Sequence, residues 1–117
     1  EIIWNFMAGA QLDSGPAVTN SVVYQYAGHN GIYALDRKTG KVLWQAADAS
    51  GFLAQSNGRA YLISRNKSII VIDNATGTRI REVSTPGVDI YASNVTDGMI
   101  YVGNSTTGRI ACLKPKE

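Results

Sequence analysis

The sequence is poor in the residues that build disulfides and metal sites. Among 117 residues there is one cysteine, Cys112, and one histidine, His29. A single cysteine excludes an internal disulfide and a multi-cysteine metal cluster, and a single histidine gives no basis for a Ser-His-acid set. We expect Cys112 to be a buried structural thiol, because free cysteine acts mostly as a small core hydrophobe. We expect His29, in the turn sequence Gly-His-Asn-Gly, to be a solvent-exposed turn residue.

Long hydrophobic runs and a strong charge of one sign are also missing. No stretch of eighteen apolar residues could form a membrane-spanning helix. The start, EIIWNFMAG, lacks the pattern of a signal peptide, so we expect any targeting segment to lie outside this chain. The formal net charge of +2 is too small for the basic face of a nucleic-acid-binding protein. The sequence thus predicts no nucleic-acid partner and no membrane span.

What the sequence does contain is an internal repeat of 37 residues. A shift of that length aligns Tyr24 with Tyr61, Asp36 with Asp73, and Gly40 with Gly77. A third copy follows with small insertions and places Tyr101 at the position of Tyr61. Fixed periods of 20 to 50 residues are typical of solenoids and propellers.

Each copy has short apolar runs separated by turn dipeptides, which is the pattern of strands joined by hairpins. The first hairpin turns are Asn20-Ser21, Asn57-Gly58 and Asp97-Gly98, residues that tolerate the positive φ of tight turns. The pattern predicts strands at 16–19, 22–27, 31–35, 41–46, 52–55, 59–64, 68–72, 78–83, 90–95, 99–103 and 109–113.

Successive four-stranded antiparallel units without helices are typical of β-propeller blades. We therefore predict an all-β fold of three such blades, the last one incomplete, forming part of a propeller. The single domain 1–117 divides into a blade outer strand at 1–8, blades at 13–49 and 50–87, and an incomplete blade at 88–117. These boundaries suggest a fragment of a longer protein or a unit closed by oligomerisation. We predict that Ile2 to Phe6 pairs with a strand outside its own chain, because three blades cannot comfortably close a ring.

Two stretches, AVTNSVVYQYAGHNGIYALDRKTGKVLWQ and YASNVTDGMIYVGNSTTGRIACL, resemble the blade motif of the pyrroloquinoline-quinone-like (quinoprotein alcohol dehydrogenase-like) β-propeller repeat family. The strongest part is Ala34-Leu35-Asp36, then Thr39-Gly40, then Trp44, which is similar to that family's tryptophan-docking motif. The resemblance implies that the tryptophans pack onto neighbouring blades, and the second copy departs from it with Arg81 in the tryptophan position. The predicted structural motif comprises Trp4, Asp36, Thr39, Gly40, Trp44, Asp73, Thr76 and Gly77.

Candidate catalytic groups are few. A quinone-dependent dehydrogenase needs an acidic base and a cation held by oxygen ligands, and Asp36 and Asp73 are the obvious acids. Both occupy the same turn position of the repeat, so we expect them to cap turn amides. We predict no catalytic, cofactor-binding or metal-ligating residue and no cofactor in this segment.

Two surface patterns remain. Basic residues fall near equivalent turns, and we expect them to form an exposed rim that keeps the protein soluble rather than a binding site for an acidic partner. These residues are Arg37, Lys38, Lys41, Arg79, Lys114 and Lys116. Four Asn-x-Ser/Thr sequons, which can carry glycans only in a glycosylating compartment, start at Asn66, Asn74, Asn94 and Asn104.

The predicted function is a non-catalytic propeller scaffold that mediates protein–protein interaction, in an extracytoplasmic (periplasmic or cell-surface) location. One alternative is a set of structural blades of a PQQ-dependent dehydrogenase whose active site, with PQQ and calcium, lies elsewhere. Another alternative is an extracytoplasmic sensor domain. The expected partners are other propeller blades, through homo-oligomerisation or within a longer parent chain, together with a protein partner.

Overall fold

Three antiparallel sheets account for the fold of residues 1–116, the part of the chain that the computed structural model describes. The first sheet has the order β1-β2-β3-β4, the second β5-β6-β7-β8, and the third, with three strands, β9-β10-β11. The predicted all-β fold with four-stranded antiparallel sheets is confirmed. The strands are β1 (Ala17–Val18), β2 (Val22–Tyr26), β3 (Ile32–Asp36), β4 (Val42–Ala46), β5 (Ala49–Ser56), β6 (Arg59–Ser64), β7 (Ser68–Asp73), β8 (Arg79–Ser84), β9 (Ile90–Ala92), β10 (Ile100–Asn104) and β11 (Arg109–Leu113).

The hairpin turns differ in how they satisfy the backbone. In the second sheet Asn57 and Gly58 have φ values of 51° and 73°, as expected for a tight two-residue turn. In the first sheet neither Asn20 nor Ser21 has a positive φ, so the expectation there is wrong. Thr19 makes that turn instead, because its hydroxyl accepts the N–H of Val22 at 3.1 Å and its own N–H donates to the Val22 carbonyl at 2.9 Å.

The core lies between successive sheets rather than within one of them. Alternate residues of β2 and β3 face the second sheet, where Tyr24 stacks on Phe52 with ring centroids 4.3 Å apart. A second cluster joins the opposite face of the second sheet to Ile100 and Val102 of β10. Because full burial of a Val, Leu or Ile side chain contributes about 1.5–3 kcal/mol, the two clusters bind the three sheets into a stack. The first cluster consists of Val22, Tyr24, Ile32, Ala34, Trp44, Ala46, Ala49, Phe52, Ala60, Leu62, Ile70 and Ile72.

The segment before β1 covers the other face of the first sheet. Phe6 packs against Tyr33 with ring centroids 5.0 Å apart, and Gln25 Nε2 donates to the Ser14 carbonyl at 3.0 Å. The strand predicted at Ile2 to Phe6 is absent, since the first strand of the chain is β1. Strand geometry needs a neighbour that pairs with its backbone groups, and no strand of residues 1–116 pairs with this segment; its pairing with another chain stays a prediction.

Cys112 is exposed, so its predicted burial is wrong. Its neighbour Ala111 packs against the second cluster, and alternation along β11 turns Cys112 to the opposite face. No further sheet of residues 1–116 packs on that face. Among those same residues, no helix has the length and apolar character needed to cross a membrane.

Candidate interaction surface

Both tryptophans dock onto glycines of the next turn. A Cβ atom added to Gly40 would come within 2.5 Å of Trp4 Cδ2, and one added to Gly77 would come within 2.8 Å of Trp44 Cβ. Trp4 Nε1 donates to the Arg37 carbonyl at 2.8 Å. Trp44 is only 8% exposed, and its Nε1 has no hydrogen-bond partner within residues 1–116. Each indole therefore occupies space that only a glycine leaves open.

The carboxylate of Asp36 stabilises the turn that carries Gly40. Asp36 Oδ1 accepts the N–H groups of Lys38 and Thr39 at 2.9 and 3.0 Å. These two bonds hold the pKa of the Asp36 carboxyl below its ordinary value, and the bond from Thr39 has the largest effect. Thr39 Oγ1 accepts the Lys41 N–H at 3.2 Å, and Gly40 has a φ of 75°, in the left-handed region that favours glycine.

The second copy repeats this turn. Asp73 Oδ1 accepts the N–H groups of Ala75 and Thr76 at 2.9 and 3.2 Å, and Thr76 Oγ1 accepts the Thr78 N–H at 3.2 Å. Gly77 has a φ of 76°. Asp36 and Asp73 thus lie in separate sheets at equivalent turns, and the structure does not bring them together.

A buried polar network between the first two sheets was missed by the sequence analysis. The Tyr24 hydroxyl donates to Gln55 Oε1 at 2.7 Å, Asn74 Nδ2 donates to the Tyr24 hydroxyl at 2.8 Å, and Thr19 Oγ1 donates to Gln55 Oε1 at 2.8 Å. Burial raises the pKa of Tyr24 far above its ordinary value, and the bond to Asn74 partly opposes this. In the sequence Asn74 is notable only as the start of a sequon, whereas in the structure its side chain is buried and held in this network. The repeat gives no signal for this network, because the equivalent Tyr61 lies outside it.

The basic residues do not form one continuous free patch. Arg79 Nη1 lies 3.0 Å from Asp48 Oδ2, and this bond lowers the pKa of Asp48 and raises that of Arg79. Arg37 Nη1 donates to the Thr19 carbonyl at 3.0 Å. His29 lies exposed on the short 3₁₀ turn at Gly28–Asn30.

Residues 1–116 offer few grouped side-chain ligands for the calcium that a quinone would need. They contain no group of three or more His, Cys, Asp or Glu side chains placed to hold a metal ion. Two cavities on residues 1–116 have volumes of about 400 and 380 Å³. The first is lined by one carboxylate, Asp97, and the second by one cation, Arg109. Neither combines the charged groups that an anionic quinone and its cation need.

The third sheet exposes positions that are buried at the two sheet interfaces. Ile110 of β11 is 67% exposed, whereas Ile32 and Ile69, its equivalents in the first two copies, are 1% and 7% exposed. A shallow apolar depression on this face is lined by Ile90, Tyr101 and Ile110, among others. We call this surface, defined by Ile90, Tyr101, Ile110 and Cys112, the open face.

Sheets that stack through alternate faces, with Trp4 and Trp44 docked on the turn glycines of the first and second sheets, define a segment of a β-propeller. The chain belongs to the family of the outer membrane protein assembly factor BamB, since a family model of that description matches residues 1–117. This family is one of PQQ-like repeats, so the predicted resemblance is confirmed.

Individual relatives agree with this assignment. The chain is 29% identical over 99 residues to the outer membrane protein assembly factor BamB of Yersinia pestis and 26% identical over 101 residues to that of Escherichia coli K12. These matches cover 83% and 85% of this chain. The chain spans 24% of the length of each of these relatives.

A solved structure supports the fold. The crystal structure of BamB from Moraxella catarrhalis superposes with a TM-score of 0.63 at 20% sequence identity. The superposition covers 92% of this chain and 38% of that one. At this level of identity the likeness concerns the propeller fold alone.

Proposed function

We propose that this chain is a non-catalytic scaffold of propeller blades that acts by protein–protein interaction in outer-membrane protein assembly, outside the cytoplasm. Its relatives from Yersinia pestis and Escherichia coli carry the description of outer membrane protein assembly factors, and its family model carries the same description. Fold alone does not imply function, so the proposal also needs support from the surface.

The open face is the observation that carries the proposal. Tyr101 and Ile110 repeat the positions of Tyr24 and Ile32, which are buried against the second sheet. Apolar side chains at an interface position with no cover favour association with a further apolar sheet. We propose that the open face packs on another blade, from a second copy or from a longer parent chain, and that the outer surfaces of the assembled blades bind the protein partner.

The acids of the chain support a non-catalytic role. Asp36 and Asp73 each direct Oδ1 at two backbone N–H groups, and Asp89 accepts the Ser105 N–H at 2.8 Å. The bonds from Thr39 to Asp36 and from Ser105 to Asp89 lower the pKa of these two carboxyls. They favour turn formation over proton transfer.

The experiment that tests the function uses the organism that encodes the chain. Inactivating the gene is expected to reduce folded β-barrel proteins in the outer membrane, measured by their heat-dependent mobility on gels. The wild-type gene is expected to restore them, and a variant with Ile110→Asp on the open face is expected to restore them poorly. Tyr61→Phe, a mild change in the core, serves as the matched control. Normal outer-membrane protein levels without the gene would contradict the proposal.

A second measurement addresses the dehydrogenase alternative. The purified natural protein is mixed with pyrroloquinoline quinone and calcium, and its absorbance and dye-reducing activity are recorded. We expect no retained chromophore and no alcohol-dependent dye reduction. A stoichiometric quinone that survives gel filtration would favour the dehydrogenase.

A further inference from the structure

A small cavity lies where all three sheets meet. Its volume is about 210 Å³. The first sheet contributes Tyr24 and Tyr26, the second Phe52, and the third Tyr91, while Ser14 comes from the segment before β1. None of the residues that line it is charged. The cavity therefore has aromatic walls, and serine and tyrosine residues contribute its polar side chains.

The shortness of β1 explains why this space is open. β1 has two residues, whereas β5, the corresponding strand of the second sheet, has eight. β1 pairs with β2 only at Val23 and Tyr24, because Pro16 directly precedes β1 and has no N–H to donate to a ladder. Tyr26 at the end of β2 is left beside the opening.

The aromatic wall is built by specific contacts. Tyr91 lies over Gly51 so closely that a Cβ atom at that glycine would collide with the Tyr91 hydroxyl. That hydroxyl donates to the Ser50 carbonyl over 3.4 Å, a long bond that leaves its oxygen free to accept another. Burial raises the pKa of Tyr91, and the neighbouring phenol of Tyr26 raises it further. The phenols of Tyr26 and Tyr91 thus line the same cavity, and that of Tyr91 stays neutral at physiological pH.

We propose that this cavity binds the aromatic side chain, Phe or Tyr, of a partner polypeptide. Apolar cavities of about 150 Å³ take up benzene, whereas sites for larger ligands and cofactors have about 300–1,000 Å³. A volume of about 210 Å³ therefore suits one ring with its methylene group. Aromatic rings pair with one another by stacking or edge-to-face contact, and the accessible rings of Tyr26 and Tyr91 supply such a surface.

The neutral lining decides against charged occupants. An anionic ring would find no cation, and a cationic side chain would find no carboxylate among the lining residues. A neutral sugar could use the same hydroxyls and rings, so it is an outcome of the test. The inference rests on the proposed scaffold function, because the inserted side chain would belong to the protein partner that the scaffold binds.

The test uses the full natural protein and saturation-transfer NMR. The probes are blocked pentapeptides of sequence Gly-Ser-X-Ser-Gly, with X as Phe, Tyr, Leu or Ala, and methyl glucoside. We expect Phe and Tyr peptides to bind at least tenfold more tightly than Leu or Ala peptides, with the strongest transfer to ring protons. Equal binding of the Leu peptide, preference for the sugar, or no binding at all would overturn the proposal.

Two variants locate the binding. Ser14→Trp is expected to plug the cavity and weaken Phe-peptide binding at least tenfold, because Ser14 is exposed at its edge and only its backbone carbonyl bonds to Gln25. Ser14→Ala is the matched control and should bind as wild type. Tyr26→Ala removes one wall and should also weaken binding. If neither Ser14→Trp nor Tyr26→Ala changes the affinity, the cavity is not the site, whereas the gene-inactivation experiment decides the scaffold function separately.

Discussion

Replacing Gly77 by Ala tests the docking of Trp44 directly. Gly77 has a φ of 76°, and a Cβ atom there would lie 2.8 Å from Trp44 Cβ. The substitution therefore imposes both a strained backbone and a steric overlap with the indole-bearing residue. Gly58 provides the matched control, because it has a φ of 73° but nothing within 4 Å of the added atom.

The expected magnitudes follow from these two contributions. The left-handed conformation costs a residue with a Cβ atom about 1–2 kcal/mol, and overpacking a filled site costs about 1–3 kcal/mol more. Gly58→Ala should then lose about 1–2 kcal/mol of unfolding free energy, and Gly77→Ala about 2–5 kcal/mol. The difference between the two variants isolates the displacement of Trp44.

Urea denaturation measures both losses. Unfolding is followed by Trp44 fluorescence in a Trp4→Phe background and, independently, by far-ultraviolet circular dichroism. In the folded protein the Trp44 emission should be that of a buried indole and should shift to longer wavelength in Gly77→Ala. Equal losses for the two variants, or a water-exposed Trp44 in the parent, would refute the docking argument.

Four further outcomes are expected. Tyr24→Phe should lower the free energy of unfolding by about 1–3 kcal/mol, because the buried Asn74 amide loses its partner. Tyr61→Phe, at the equivalent position outside the network, should change this free energy little, and equal losses for the two variants in urea denaturation would contradict the expectation. Burial raises the pKa of Tyr24 in the folded chain above the 10.0 of a free phenol. The contribution of Tyr24 to the free energy of unfolding should therefore be fully present below pH 10.0 and fall as pH rises further. The same pH profile in Tyr24→Phe would exclude Tyr24 as the cause. Asp36→Asn should keep the thermal midpoint that Asp36→Ala lowers, because Asn104 Oδ1 accepts the Thr106 and Thr107 N–H groups in the same way; a drop for both would argue for a role of the charge. Cys112, exposed in the single chain, should react with a thiol reagent as fast as a free thiol at high dilution and more slowly at concentrations where copies associate; a labelling rate that does not depend on protein concentration would contradict association through the open face.

The strands could be predicted because each repeat combines an alternating apolar pattern with a turn dipeptide. β6 and β11 have the predicted bounds. β9 ends at Ala92, earlier than predicted, because the Asn94 N–H donates to the Leu53 carbonyl of the second sheet and so leaves the ladder. Such inter-sheet competition has no local signal in the sequence.

The interaction surface was less predictable. The Tyr24 network joins residues that are 31 to 50 positions apart in the sequence. Tyr91 and Gly51 are 40 positions apart and lie on different sheets. Only the folded chain shows these contacts. Cys112 shares the repeat position of Ala34 and Val71, which are buried. Periodicity predicts the face on which a side chain lies, whereas burial depends on whether another sheet covers that face.

The open face is the central claim, and light scattering of the 117-residue chain tests it most directly. Ile110 and Ile90 leave apolar surface uncovered on the third sheet, and no strand of residues 1–116 pairs with the outer edge of β11, which favours pairing with another chain. We predict a dimer or larger assembly at micromolar concentration, and a shift toward monomer in Ile110→Asp with unchanged circular dichroism. A stable, folded monomer with native strand content and no association would contradict the claim that this face needs a further blade.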